Sequence, residues 1–189
     1  MFISLFCLII FLGVGYFYLN REIKPVEKNQ EKIPYYKSAP ENRGLVFTVS
    51  NKTIFLYFDF ESEELKIFIE NPIERALLYG YSLDYLIKTD YAFLEDIIDS
   101  LNGIELNIAG ENLNCSGNQV CEILTDSDIT YEKRKEIIIK VLKKMGEKGV
   151  TEAEINYLIS ATNTTLSAVD AYYWLGYLEI LLKKAVIID

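Results

Sequence analysis

Cys115 and Cys121 bracket the loop NCSGNQVC, and their spacing suits a small disulfide loop in an oxidising compartment. The alternative is a pair of free thiols, with Cys121 packed on a helix face. Glu61, Glu63 and Glu64 crowd into the stretch ESEE, the residue type that binds hard cations. The plainer reading of the same stretch is a soluble hairpin turn. Asp96 and Asp99 lie three apart opposite an apolar helical stripe, which points them at solvent. The chain has no histidine, which excludes triads with a histidine base. With only 3 cysteines as well, a zinc site is not expected. A formal net charge of −9 repels a phosphate backbone, so nucleic acid is not an expected partner.

Regular elements must position whatever chemistry there is. In DYAFLEDIIDSLNGIELNI, residues 90–108, Asp90 suits a helix cap, and Phe93, Leu94, Ile97, Ile98 and Leu101 recur at helical spacing. Asn102-Gly103 ends that helix, and Ile104, Leu106 and Ile108 then alternate as in a strand. LVFTVS (45–50), TIFLYFDF (53–60), LKIFIE (65–70) and LDYLIKT (83–89) are further strands, the second and third joined as a hairpin through ESEE. IERALLYG (73–80) is a short helix, AGENLNCSGN a loop and QVCEIL a helical segment. YEKRKEIIIKVLKKM (131–145) is amphipathic, with Ile138, Val141, Leu142 and Met145 on one stripe and lysines opposite. Capping signatures at Thr151–Glu154 and Ser167–Asp170 open two more helices. The fold class is α/β in the mixed α+β sense: a central mixed sheet of about five strands with helices packed on it.

Residues 2–19 carry no charged side chain, and at ~1.5 Å per residue they can just cross a ~30 Å hydrocarbon core. No basic n-region precedes the run and no small-x-small site follows it, so it reads as one uncleaved transmembrane helix. Residues 20–43 are polar, proline-bearing and of alternating charge, an extended linker. The domain then occupies 44–189. Arg21, Lys24, Lys28 and Lys32 all follow the apolar run, which by the positive-inside rule favours a cytoplasmic domain.

Taken in order, these pieces resemble the LytR-CpsA-Psr family of envelope proteins over roughly residues 44–182. The resemblance is carried by IERALLYGYSLDYLIKTDYAFLEDIIDSLNGIELNI, TIFLYFDFESEELKIFIENP, LNCSGNQVCEIL and TTLSAVDAYYWLGYL. It rests on spacing and hydrophobic type. It implies a single-pass anchor in the cell membrane, an extracytoplasmic domain, and transfer of glycopolymers from a polyprenyl-pyrophosphate lipid to the cell wall. Arginines would clamp the pyrophosphate, carboxylates would hold magnesium, and an apolar cavity would take the prenyl tail.

The departures fall on that chemistry. Where the family has proline-arginine-aspartate, this chain has Pro72, Ile73 and Glu74. Thr125 stands at one family arginine, and Lys52 at an expected acid. A motif with two arginines is kept only as Asp128, Tyr131, Arg134 and Lys135. Candidate phosphate contacts are therefore Arg134, Lys133 and Lys52, and the acidic remnant is Asp128 and Glu74. The plainer reading of YEKRKE is the solvated start of an amphipathic helix, capped by Asp128 or Thr130. The tyrosines and Trp174 of the last helix either line a lipid cavity or are simply core. Three functions follow from this. The first is a membrane-anchored envelope protein without phosphotransferase activity that binds a polyprenyl lipid or an envelope protein. The second is a magnesium-dependent transferase using Asp128, Arg134 and Glu74. The third is an anchored interaction domain facing the cytoplasm. Only the second needs a cofactor.

Overall fold

Alternation in the first three strands splits their side chains between two faces. A computed structural model describes residues 40–108 and 110–188; the apolar run 2–19 and nearly all of the linker lie outside these residues. β1 (Arg43–Val49), β2 (Lys52–Asp59) and β3 (Glu64–Phe68) form an antiparallel meander. Leu45, Leu56, Phe58, Leu65 and Ile67 point to one side, into the main core. Val46, Phe55 and Phe68 point to the other, under the short helix α1 (Pro72–Leu78). β4 (Tyr85–Thr89) returns parallel to β1.

The sheet has six strands among the described residues, in the order β7-β4-β1-β2-β3-β8. Its outermost members are β7 (Asn163–Thr164) and β8 (Ala185–Ile187), which pair with β4 and β3. The expectation of about five strands is corrected in two ways. Both edge strands are too short to show an alternating pattern. The expected fifth strand, β5 (Ile104–Ile108), is not in this sheet. It pairs with β6 (Glu111–Cys115), and that segment reads as loop because its sequence ENLNC has little apolar character.

Helices cover the inner face. α2 (Tyr91–Ser100) is capped by Asp90, which accepts from the Phe93 N–H at 3.1 Å. α3 (Gly117–Thr125) opens with a capping box between Ser116 and Gln119. α4 (Tyr131–Lys148) starts at Thr130, whose hydroxyl accepts from the Lys133 N–H at 3.2 Å. α5 (Glu152–Ala161) and α6 (Ala168–Lys183) have their caps at Thr151 and Ser167, as the sequence signatures expect. A second core, built from Ile98, Leu101, Ile104, Leu106, Val120, Ile137 and Val141, joins α2, the β5–β6 hairpin, α3 and α4. Residues 39–189 form one unit. Among the described residues, no helix is long and apolar enough to cross a membrane.

Candidate functional site

Between the sheet and helices α2, α4, α5 and α6 the two layers do not close completely. They leave a cavity of about 510 Å³. Leu45, Leu56, Ile87, Leu94, Ile138, Leu142, Leu158 and Trp174 are among its lining residues, so its wall is overwhelmingly apolar. The sheet side comes from the inward positions of β1, β2 and β4. The helix side comes from the stripe of α4 that the sequence marks as apolar, with α6 behind it. Trp174 is both core and cavity wall. It is buried against Phe58, with ring centroids 5.1 Å apart, and it lines the cavity.

Four charged residues reach the wall: Lys52, Arg134, Lys148 and Glu154. Lys148 and Glu154 neutralise each other across 2.7 Å. That leaves two cations. Lys52 sits exposed at the start of β2, beside the β1–β2 turn. Arg134 is half-buried in the first turns of α4, and its Nε is buried without a hydrogen-bond partner. An unsatisfied buried N–H costs about 1–3 kcal/mol, which an anionic oxygen beside it would offset.

Other candidate residues stand elsewhere. Lys133, next to Arg134 in sequence, is rotated ~100° around the helix. Its ammonium donates to the Asn107 carbonyl at 2.6 Å and to Glu136 at 2.8 Å. Asp128 is exposed in the turn before α4, where Ser127 donates to it at 3.2 Å. Glu74 is exposed on α1. Neither acid is in the cavity wall, and among the described residues no cluster of three His, Cys, Asp or Glu side chains could hold a metal ion.

Cys115 and Cys121 are not bridged in this structure: both are buried and free. The Cys115 thiol faces the Leu113 carbonyl and the Cys121 thiol faces the Tyr91 carbonyl, each at 3.6 Å. Burial pushes the Cys121 thiol up to about 11, with Glu95 and Asp99 adding to the shift. The acids read as solvated also have partners. Asp99 accepts from the Gly117 N–H at 2.7 Å, Asp96 accepts from the Tyr157 hydroxyl, and Glu63 pairs with Lys184 at 2.8 Å.

Sequence reasoning named Arg134 and Lys52 but not the size of the cavity. Empty space is a property of how two layers meet, and no single segment carries it.

No protein-family model matches the sequence, and no curated protein does. Solved structures do match. A putative transcription regulator from Eubacterium siraeum superposes with a TM-score of 0.62 at 12% identity, over 80% of this chain and 84% of that one. TagT from B. subtilis gives 0.57 at 11% identity, over 82% and 80%. A LytR-CPS2A-psr family protein, TagT with bound octaprenyl pyrophosphate lipid, gives 0.55 at 12% identity, over 82% and 79%. At such identities the likeness is one of fold: residues 40–188 have a LytR-CpsA-Psr-like fold.

Proposed function

We propose that this chain is a membrane-anchored cell-envelope protein whose domain holds a polyprenyl-phosphate lipid without transferring it. The prenyl tail lies in the cavity between sheet and helices, and the phosphate meets Arg134 and Lys52. The observation that carries this reading is the unpartnered Nε of Arg134 in the wall of an otherwise apolar cavity of about 510 Å³. Burying one prenyl unit in such a wall contributes a few kcal/mol, at roughly 25 cal/mol per Å². The guanidinium then fixes the headgroup end.

Three features support a loss of transferase chemistry. Ile73 occupies the position of a family arginine, Thr125 another, and the two candidate acids stand away from the cavity. Phosphoryl transfer needs cations matched to the developing charge, and two cations without a gathered carboxylate set supply little of that. The octaprenyl pyrophosphate bound to the similar TagT domain supports the class of ligand. We read residues 2–19 as the anchor and the domain as extracytoplasmic. The lysines after the run point the other way, and the lipid chemistry outweighs them.

Titrating the protein with polyprenyl monophosphate and pyrophosphate tests the reading, with and without magnesium. Binding should weaken about tenfold in Arg134→Ala and stay unchanged in Lys133→Ala, with no phosphate released in either case. Magnesium-dependent phosphate release by the unaltered protein would restore the transferase alternative.

A further inference from the structure

Among the described residues, exposed apolar side chains concentrate on the face of the sheet opposite the cavity. α1 buries Ala76 against that outer face and leaves Ile73, Leu77 and Leu78 outside. Leu77 is 58% exposed, Leu78 83%, Tyr79 53% and Leu83 42%. Three of these are consecutive. The Tyr79 ring is held in place, stacked 6.0 Å from Tyr81 and leaning on Phe68 at 5.6 Å. Val169, at 77%, is more exposed than all of them except Leu78 but stands apart, at the start of α6.

We infer that this surface docks on the lipid bilayer. The inference rests on reading residues 2–19 as the anchor and goes beyond lipid capture in the cavity. What identifies the occupant is where the rest of the chain arrives. Leu83 precedes Asp84, which grips the first residues of β1, and Ser82 donates to the same carboxylate at 2.6 Å. The Gly44 N–H donates to the Asp84 carboxylate at 2.8 Å, and the Asp84 N–H donates to the Gly44 carbonyl at 2.9 Å. Arg43 faces Asp84 at 3.7 Å. So the patch adjoins the point at which residues 1–39 lead into the domain. A linker of residues 20–43 reaches about 80 Å even when fully extended, which keeps the domain beside its membrane.

The chemistry of the contact follows from the charges. A chain of net charge −9 gains nothing from anionic headgroups, so the contact is apolar and persists in high salt. Leucines enter the acyl boundary, and Tyr79 takes the headgroup level that amphipathic rings prefer. Pro72, the first residue of α1, is also in the cavity wall, so the docked element and the lipid site share a residue.

The test uses the full chain in phosphatidylcholine vesicles whose acyl chains carry bromine, a quencher of indole fluorescence. Leu78→Trp and Val169→Trp are compared after subtracting the signal of the native Trp174. Leu78→Trp should be quenched at least twofold more than Val169→Trp, equally at low and high salt. Adding Leu77→Asp should bring its quenching down to the Val169→Trp level. Equal quenching of both variants in vesicles that float with the protein overturns the docking surface and leaves the anchor standing. Protein that does not float with the vesicles overturns the anchor and the docking surface together. Loss of the difference on dilution of the protein, with a dimer at high concentration, overturns the bilayer in favour of a second copy.

Discussion

The ammonium of Lys144 donates to the carbonyl of Gly103 at 2.7 Å. Three more lysines of α4 repeat the contact: Lys133 on Asn107 at 2.6 Å, Lys140 on Glu105 at 2.7 Å and Lys148 on Ser100 at 3.2 Å. β5 pairs with β6 along one side only, so the carbonyls of residues 103, 105 and 107 face outward on the other. An open edge of this kind invites pairing with another chain, and lysines are a recurrent way of blocking it. Their stems also cover apolar surface. The double substitution Lys140→Ala, Lys144→Ala should cost about 1–2 kcal/mol in urea unfolding and increase light scattering on warming. Unchanged stability and solubility would show the ladder to be decorative.

Glu136 completes this edge. It accepts from the Asn107 N–H at 3.5 Å and pairs with Lys133 at 2.8 Å and Lys140 at 2.9 Å. Burial pushes its carboxyl up, but hydrogen bonds from both lysines and from Asn107 prevail and hold it at about 2. A depressed folded-state value means stability that is fully present above the unfolded value near 4.5 and lost as pH falls toward 2. Glu136→Gln should therefore be less stable than the unaltered protein by about 1–2 kcal/mol at pH 7. The gap should narrow steadily between pH 4.5 and pH 2, as read by thermal unfolding across that range.

Gly44 is fixed by close approach. A Cβ there would lie 1.9 Å from the Ser82 carbonyl oxygen and 2.6 Å from the Phe55 ring. Gly44→Ala must push β1 away from the β4 approach segment and should cost about 2–3 kcal/mol. Gly176→Ala meets nothing within 4 Å and, lying inside α6, should stabilise by about 0.5–1 kcal/mol, the opposite sign.

Thiol chemistry gives an independent reading of the second core. Cys115 and Cys121 are both buried, and the Cys121 thiol, held near 11, carries almost no thiolate at pH 8. Neither should be alkylated in the folded protein, and both should be alkylated in denaturant without a reductant. Labelling that requires prior reduction would mean a disulfide that this structure does not contain.

Strands β1 to β4, the helix-to-strand unit at residues 90–108 and the capped helices were legible because each carries its own period and punctuation. β6, β7 and β8 were not. Asn112 and Asn114 give β6 a loop-like composition, and a strand of two or three residues has no period to read. The site divides in the same way. Arg134 and Lys133 look equivalent in sequence, yet a single step of ~100° around the helix sends the first to the cavity and the second to the β5 edge. The lysines of α4 read as a solvated face, and the acceptors of Lys133, Lys140 and Lys144 lie along the edge of a hairpin that sequence alone leaves half undrawn. Local pattern specifies elements, whereas the cavity depends on the whole set of contacts between layers.

Native mass spectrometry of residues 34–189, purified from a bacterial host and then mixed with polyprenyl phosphate, tests the central claim most directly. One retained prenyl-phosphate lipid per chain is expected. That adduct should be lost in Leu142→Trp, which narrows the cavity at a cost of about 1–3 kcal/mol. A clean unliganded mass that no prenyl lipid shifts, or an adduct indifferent to Leu142→Trp, would contradict it.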